Sequence, residues 1–215
     1  MWANLLHRKS AGVEKDQGMT GLANKLNLGC GTDIKSGWVN HDMVRLAGID
    51  IVHDLNVVPW PWDDNSIDEV YAKDVLEHLP NTLSVMGEIF RITKPGASIY
   101  IAVPYWNSWE AITDPTHVTQ FNEFTFNFFD PREEQCQERP YYSKARFFID
   151  RIGYGVQVTP YLHTEKRIFW KIPGGVFPFK YTVFFHPFPK WVFGFLAGYL
   201  NNIITGLEIY LTRDV

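Results

Sequence analysis

Five short apolar runs, each followed by glycine, proline or a polar residue, are the feature that most constrains the fold of this chain. Strands that feed a ligand crevice from their carboxyl ends have this pattern. A mainly parallel, Rossmann-like α/β sheet with helices on both faces is therefore expected. The five runs cover residues 25–28, 38–40, 49–52, 67–72 and 97–103.

The segment between the fourth and fifth runs predicts an α-helix. Asn81 or Thr82 is suited to cap its start, and Lys94-Pro95-Gly96 is suited to stop it. A strand, a helix and a second strand at this spacing indicate a right-handed parallel crossover. The apolar positions that share one helix face are Leu83, Met86, Ile89 and Phe90.

The chain divides by composition into three parts. Residues 1–24 form a polar leader, 25–172 the α/β domain with further strands at 145–158 and 165–172, and 173–215 an aromatic, helical extension. Between Phe169 and Tyr199 there are 12 aromatic residues in 31. The extension is interpreted as a lid, a homodimer contact or a membrane-surface segment, because its 17 uncharged residues from Trp191 to Leu207 fall short of the ~20 that span a bilayer.

Charge and cysteine content exclude several functional classes. A net charge of −4 argues against nucleic-acid binding, and two cysteines cannot build a disulfide framework. A cytoplasmic location, with the extension peripheral to the inner face of a membrane as one option, is expected. Because no His, Cys, Asp and Glu residues stand at metal-ligand spacing along the chain, no metal is predicted.

The first predicted strand, residues 25–28, ends at Gly29-Cys30-Gly31, within the run Asn27-Leu28-Gly29-Cys30-Gly31. Its two glycines let the backbone approach a ligand closely and offer free N–H groups. A dinucleotide fingerprint would need Gly or Ala where Ile34 stands, and no P-loop lysine follows. The pattern therefore indicates a nucleoside-like ligand without a pyrophosphate.

Carboxylates follow the next three predicted strands. Asp42 is placed to accept ribose hydroxyls, and Asp54-Leu55 to meet an adenine amino group and ring. At the end of the fourth strand, Asp74 or the backbone carbonyls of Ala72-Lys73 are placed to meet an ammonium group.

From Leu26 to Phe129 the chain resembles the class I S-adenosylmethionine-dependent methyltransferases, specifically the type 11-like domains. The resemblance implies that Gly29 and Gly31 hold the methionine part of S-adenosylmethionine, Asp42 the ribose and Asp54-Leu55 the adenine. Only 10 residues separate Gly31 from Asp42, so the first crossover must be shortened to little more than a turn. The motifs that carry it are Leu26-Asn27-Leu28-Gly29-Cys30-Gly31, Gly37-Trp38-Val39-Asn40-His41-Asp42, Val52-His53-Asp54-Leu55, Pro59-Trp60-Pro61-Trp62, Ile67-Asp68-Glu69-Val70, Val75-Leu76-Glu77-His78-Leu79, Lys94-Pro95-Gly96 and Asp114-Pro115-Thr116-His117.

Five further residues complete the expected cofactor-binding set. Packing is the alternative explanation for Cys30, and packing or local hydrogen bonding for His78. The five are Cys30, Met43, Ala72, Lys73 and His78.

Methyl transfer requires an aligned nucleophile and, for a hydroxyl or amine, a group that takes its proton. We expect His117 to be this base and Asp114 to orient it. The alternative is that Asp114-Pro115-Thr116-His117 is a turn whose polar groups cap the following segment.

The function expected is S-adenosylmethionine-dependent methylation, on oxygen, of a small-molecule, sugar or glycolipid acceptor. The sugar expectation rests on similarity to methyltransferases associated with surface-polysaccharide synthesis. Two alternatives stay open: a quinone or lipid methyltransferase at the membrane surface, and a non-catalytic S-adenosylmethionine-binding scaffold.

Overall fold

A computed structural model describes residues 24–156, 182–185, 187–197 and 204–215 of the chain. These residues form one eight-stranded sheet with the strand order β3-β2-β1-β4-β5-β8-β6-β7. The strands are β1 Lys25–Leu28, β2 Val39–Asp42, β3 Ile51–Val52, β4 Ile67–Lys73, β5 Thr93–Pro104, β6 Phe147–Val156, β7 Thr182–Phe184 and β8 Gly206–Arg213. The α-helices are α1 Thr82–Ile92, α2 Trp109–Thr113, α3 Glu134–Glu138 and α4 Pro187–Ala197, and short 3₁₀ helices occupy Leu76–His78 and Thr125–Phe129.

The first five strands are all parallel, and β1 lies between β2 and β4. All five were predicted, and β6 corresponds to the strand predicted at 145–158. The Rossmann-like, mainly parallel sheet is therefore confirmed. Because β1, β2, β3 and β4 run in one direction, their carboxyl ends meet at one edge, where the sequence places its glycines and acids.

Helix α1 crosses from β4 to β5, as predicted. The side chain of Asn81 accepts a hydrogen bond from the backbone N–H of Ser84, so Asn81 is its N-cap. One predicted face position is wrong, because Leu83 is 40% exposed. The side chains that α1 buries in the core are Val85, Met86, Ile89 and Ile92.

The crossover from β1 to β2 contains turns and no helix, as the short spacing predicted. Two buried asparagines hold it together. The side-chain amide of Asn27 donates to the carbonyl of Asp33 at 2.8 Å and to Oδ1 of Asn40 at 3.0 Å. Asn40 Oδ1 also accepts the backbone N–H of Lys35 at 2.9 Å. These bonds replace, in part, the packing that a crossover helix would provide.

The predicted boundary at residue 172 is wrong for the last strand. β8 lies inside the sheet, antiparallel to both β5 and β6. The uncharged run up to Leu207 suggested a helical extension, but burial in β8 alternates with the two-residue period of a strand.

Helix α4 agrees with the helical part of the prediction for the extension. Among the described residues, no helix is both long enough and apolar enough to cross a membrane. Residues 1–23 of the leader, the strand predicted at 165–172 and most of 173–203 lie outside the described residues.

The two faces of β8 predict unequal effects of substitution. Ile209 is fully buried, so Ile209→Ala should lower the free energy of unfolding by about 2–4 kcal/mol. Thr212 lies on the opposite face and forms an exposed hydrogen bond with Asp150. Thr212→Ala should therefore change the free energy of unfolding by at most about 0.5 kcal/mol. Urea unfolding of both variants measures the difference. Equal small losses would contradict a β8 that is integral to the sheet.

Candidate functional site

The turn after β1 brings three backbone N–H groups to the end of β2. Gly29 and Gly31 have φ angles of +55° and +51°, a backbone region that favours glycine. The N–H of Gly29 donates to Nδ1 of His41 at 3.3 Å, and the N–H of Cys30 donates to the His41 carbonyl at 2.9 Å. The N–H of Gly31 donates to Oδ2 of Asp42 at 2.9 Å. The glycine motif is thus fixed to β2 by hydrogen bonds.

His41 connects the ends of three strands. Because its Nδ1 accepts from Gly29, the proton of the neutral ring lies on Nε2, which donates to the carbonyl of His53 at 3.0 Å. His41 is 1% exposed, and this burial lowers the pKa of its imidazole. The ring is therefore a neutral bridge between β1, β2 and the end of β3.

A cavity of about 480 Å³ opens at the carboxyl ends of β1 to β4, a volume within the range of small-molecule sites. We refer to it as the first cavity. Six sequence-predicted cofactor residues line it: Gly29, Asp42, Met43, Asp54, Leu55 and His78. Seven residues complete its lining: His41, His53, Asn56, Asp74, Val75, Leu79 and Thr116.

Four other predicted cofactor residues do not line the first cavity. Cys30 and Lys73 line an adjoining pocket of about 280 Å³, together with Gly29 and Asp74. The side chain of Ala72 is buried in the core, and the predicted contact through its backbone carbonyl stays a prediction. Gly31 is a neighbour of the first cavity through its bond to Asp42.

The two acids predicted to bind the nucleoside are already partly engaged. Asp42 accepts the N–H of Val44 on Oδ1 and that of Gly31 on Oδ2, both at 2.9 Å. Each carboxylate oxygen keeps a second acceptor position. Oδ1 of Asp54 accepts the backbone and side-chain N–H groups of Asn56, and these hydrogen bonds lower the pKa of Asp54. Both groups offer acceptors to hydroxyl or amino donors.

A second cavity of about 590 Å³ adjoins the first beyond the ends of β4, β5 and β8. Asp74 and His78 line both cavities. Asp74 has a φ of +54°, uncommon for a residue with a side chain, directly after the last residue of β4. The other residues lining the second cavity are Lys73, Glu77, Tyr100, Ala102, Val103, Pro104, Glu110, Asp114, His117, Gly206, Leu207 and Glu208.

Glu77, His78 and His117 form a cluster on the wall of the second cavity. One potential ligand atom from each residue lies within 4.8 Å of the others, so the cluster could hold a metal ion. The His78 and His117 rings meet edge to face, with centroids 4.7 Å apart. Glu77 Oε1 lies 4.0 Å from His117 Nε2. The spacing along the chain gave no signal for this cluster, because two separate loops meet here.

Glu77 is an ionisable group in a nearly closed environment. It is 2% exposed, and neither carboxylate oxygen has a hydrogen-bond partner among the described residues. Burial, reinforced by the nearby carboxylates of Asp74 and Asp114, raises the pKa of Glu77 to about 7. Sequence reasoning did not identify Glu77 as a site residue. The signals available were an acid inside the apolar run that begins at Val75 and its place in the motif Val75-Leu76-Glu77-His78-Leu79.

Hydrogen bonds orient both histidines. Nδ1 of His117 lies 3.4 Å from the carbonyl of Ala111, which can only accept. Thr116 Oγ1 donates to Asp114 Oδ1 at 2.6 Å, so His78 Nδ1, 3.0 Å from the same hydroxyl, is the donor in that contact. In the neutral form, each ring therefore carries its unshared pair on Nε2.

The expected pairing of Asp114 with His117 is corrected by the structure. The Asp114 carboxylate binds the backbone N–H and hydroxyl of Thr116, as the alternative turn interpretation expected. It therefore acts on His78 through Thr116, and the carboxylate of Glu77 lies 4.0 Å from Nε2 of His117.

Comparison with known proteins agrees with this geometry. Residues 26–101 match the family model described as a methyltransferase domain. The matched segment makes up little more than a third of the chain, and in sequence it is similar to methyltransferase domains. A protein of Mycolicibacterium smegmatis named "Probable S-adenosylmethionine-dependent methyltransferase" is 30% identical over 94 residues. Those residues make up 44% of this chain and 36% of the relative, so the chain spans little more than a third of the curated relative that it matches.

Solved structures resemble the fold described above. An Archaeoglobus fulgidus protein described as a SAM dependent methyltransferase superposes with a TM-score of 0.52 at 15% identity, over 90% of this chain and 87% of that chain. A Thermotoga maritima protein described as a "SAM-dependent methyltransferase, possible histamine N-methyltransferase" superposes with a TM-score of 0.52 at 12% identity. The superposition covers 89% of this chain and 82% of that chain. At these identities the likeness establishes the fold.

The turn after β1 predicts a large effect of one added methyl group on stability. A Cβ on Gly29 would lie 2.6 Å from Val75 Cγ2, and the left-handed backbone adds about 1–2 kcal/mol. We expect Gly29→Ala to lower the free energy of unfolding by roughly 2–4 kcal/mol, as measured by urea unfolding. Gly96→Ala is the control, because Gly96 also has a positive φ but no atom within 4 Å of the added Cβ. A loss no larger than that of the control would contradict the close packing of Val75.

Glu77 predicts a pH dependence of stability. The folded carboxyl has a pKa of about 7 and the unfolded carboxyl an ordinary, lower one. Folding therefore disfavours the ionised form, and this penalty is absent at low pH and complete above about pH 7. With a chelator present, the free energy of unfolding of Glu77→Gln should rise relative to that of the natural chain as the pH increases from 4 to 8, by up to about 3 kcal/mol.

Chemical unfolding across that pH range measures the effect. Glu69→Gln is the matched control, because Glu69 forms a surface ion pair with Lys25 that contributes at most about 1 kcal/mol. Parallel pH profiles for the natural chain and Glu77→Gln would contradict the assignment.

Proposed function

We propose that this protein is an S-adenosylmethionine-dependent methyltransferase that methylates an oxygen of a small-molecule, sugar or glycolipid acceptor. The observation that carries the proposal is the junction of two cavities at Asp74 and His78. The first cavity has the form of a nucleoside site, and the second can admit an acceptor. A methyl donor and its acceptor must meet at such a junction.

The first cavity combines the groups that an adenosyl sulfonium requires. Leu55, Val75 and Leu79 provide apolar walls for the adenine ring. The open acceptor positions of Asp42 suit two ribose hydroxyls, and Asp54 suits the adenine amino group. Asp74 supplies a carboxylate near Gly29 for the ammonium group of the methionine part. S-adenosylmethionine supplies an activated methyl group when it is bound.

The second cavity suits an acceptor with several hydroxyl groups. Its lining combines acids and bases with rings, among them Glu110, Glu208, Lys73 and Tyr100. Polar side chains of both signs are suited to hydrogen-bond a sugar or a similar polyol. The proposed catalytic group is the cluster around His117, because it lies on the wall of this cavity beside the junction residue His78.

For the part of the extension outside β8, the role of lid, homodimer contact or membrane-surface segment stays a prediction, as does the cytoplasmic location. In helix α4 the large ring of Trp191 is 68% exposed, which favours a contact of this helix with an apolar surface.

Calorimetric binding of S-adenosylhomocysteine tests the cofactor site. Asp42→Asn removes the charge that the ribose hydroxyls would meet, and should weaken binding by about 10- to 100-fold. Asp64→Asn is the control, because Asp64 pairs with Arg91 and lines none of the three cavities. Unchanged affinity in Asp42→Asn would refute its ribose role, and an absence of binding by the natural chain would refute the proposed function.

Removal of the imidazole of His117 tests the catalytic cluster. His117→Gln should lower the rate of methyl transfer to a responsive acceptor by about 10²- to 10⁴-fold. Binding of S-adenosylhomocysteine should remain, because His117 does not line the first cavity. Radiolabelled methyl transfer over a panel of sugars and phenols gives the rate. Full activity in His117→Gln would remove the cluster from the mechanism.

A further inference from the structure

We propose that Glu77, His78 and His117 bind a divalent transition-metal cation on the wall of the second cavity. The site combines one carboxylate and two imidazoles, a ligand set that zinc and iron proteins use. Three side chains from two loops converge on it, and three independent features support it.

The first feature is the missing partner of Glu77. A carboxylate that is 2% exposed normally accepts several hydrogen bonds, because an unpaired buried charge is very unfavourable. Neither of its oxygens has a hydrogen-bond partner among residues 24–156 and the other described segments. His117 Nε2, at 4.0 Å from Oε1, is too far for a hydrogen bond. A cation between these atoms would satisfy both.

The second feature is the orientation of the two rings. Metal-binding histidines usually donate their other ring N–H to a carbonyl or carboxylate, which fixes the tautomer. His117 donates from Nδ1 to the Ala111 carbonyl, and His78 donates from Nδ1 to Thr116, whose hydroxyl donates to Asp114. Both Nε2 atoms therefore carry the unshared pair that a cation needs. Asp114 does not orient His117. It accepts the hydroxyl of Thr116, and Thr116 in turn orients His78.

The third feature is the spacing and charge of the cluster. The potential ligand atoms lie within 4.8 Å of one another. Around a tetrahedral ion with bonds of about 2.0–2.2 Å, the ligand atoms lie about 3.3–3.6 Å apart, so ligand atoms near the 4.8 Å limit must approach each other by about 1 Å when the ion binds. His78 is only partly buried, so its ring has room for that movement. Asp74 and Asp114 add negative charge close to Glu77, which favours a cation there.

The ligand set selects among cations. Mg²⁺ and Ca²⁺ prefer sites made of oxygen atoms, whereas two imidazoles favour Zn²⁺, Mn²⁺ or Fe²⁺. Three protein ligands leave at least one coordination position open. Because all three residues line the second cavity, that position is accessible to a molecule bound there.

The cation's part in methyl transfer rests on the proposed function. An acceptor hydroxyl bound at the open position would lose its proton to water more readily, because the cation stabilises the alkoxide. The alkoxide oxygen would then form the new O–CH₃ bond while the S–CH₃ bond breaks, and the sulfonium would leave as a neutral thioether. In this mechanism His117 is a ligand and does not take the proton itself.

Cation binding by the untagged full-length chain tests the inference without any methyl transfer. Isothermal titration with Zn²⁺ and Mn²⁺, and absorption spectroscopy with Co²⁺, should show one site per chain. His117→Gln and His78→Gln should each weaken binding by more than about 10- to 100-fold, the loss seen when only an outer partner of a metal ligand is removed. His53→Gln is the matched control, because His53 lines the first cavity and lies outside the cluster.

Three results would overturn the inference. They are no saturable binding, a stoichiometry well below one, and equal affinity in the two ligand variants and the control. The His78→Gln variant keeps the test decisive if a change at the more buried Glu77 or His117 impairs folding, because His78 is partly exposed.

Binding of S-adenosylhomocysteine is measured on the same samples of the natural chain, which separates the two proposals. Binding of the cation without S-adenosylhomocysteine would refute the proposed cofactor site. Binding of S-adenosylhomocysteine without the cation would refute the metal site and leave the cofactor site in place.

Discussion

The hydrogen bonds between the turn after β1 and His41 are the constraint on which the site depends. A buried neutral imidazole accepts from Gly29 and donates to the carbonyl of His53, so the ends of three strands are held by one ring. Val75 occupies the space beside Gly29 where a side chain would stand. The glycine therefore allows both the turn and the close approach of the segment after β4. Without this contact, neither the first cavity nor its junction with the second would have its shape.

The same segment after β4 lies between the two cavities. Asp74, with its left-handed backbone, and His78 face both cavities, and Glu77 lies between them in the chain. The loop that carries His117 is held against this segment by hydrogen bonds from Val118 and Thr119 to the carbonyl of Glu77. One short stretch thus lines both cavities and carries two of the three residues of the cluster.

Local patterns in the sequence were sufficient to predict much of the fold and part of the site. The apolar runs predicted β1 to β5, and Asp42 and Asp54 could be placed at the first cavity because each lies at or just beyond the carboxyl end of a strand. The place of β8 between β5 and β6 could not be predicted in this way, since strand order is a long-range property and an uncharged run suits either a helix or a strand. The relation of Glu77 to His117 was missed for the same reason, because the two residues belong to separate loops that meet only in the folded chain.

The position of β8 also has a consequence for how the protein forms during synthesis. The ribosome makes β5 and β6 before β8, yet in the described sheet these two strands join only through β8. Until β8 emerges, the nascent sheet ends at β5 with an unpaired edge, which is open to pairing with other chains. The eight-stranded order of the described sheet is therefore complete only after β8 is made.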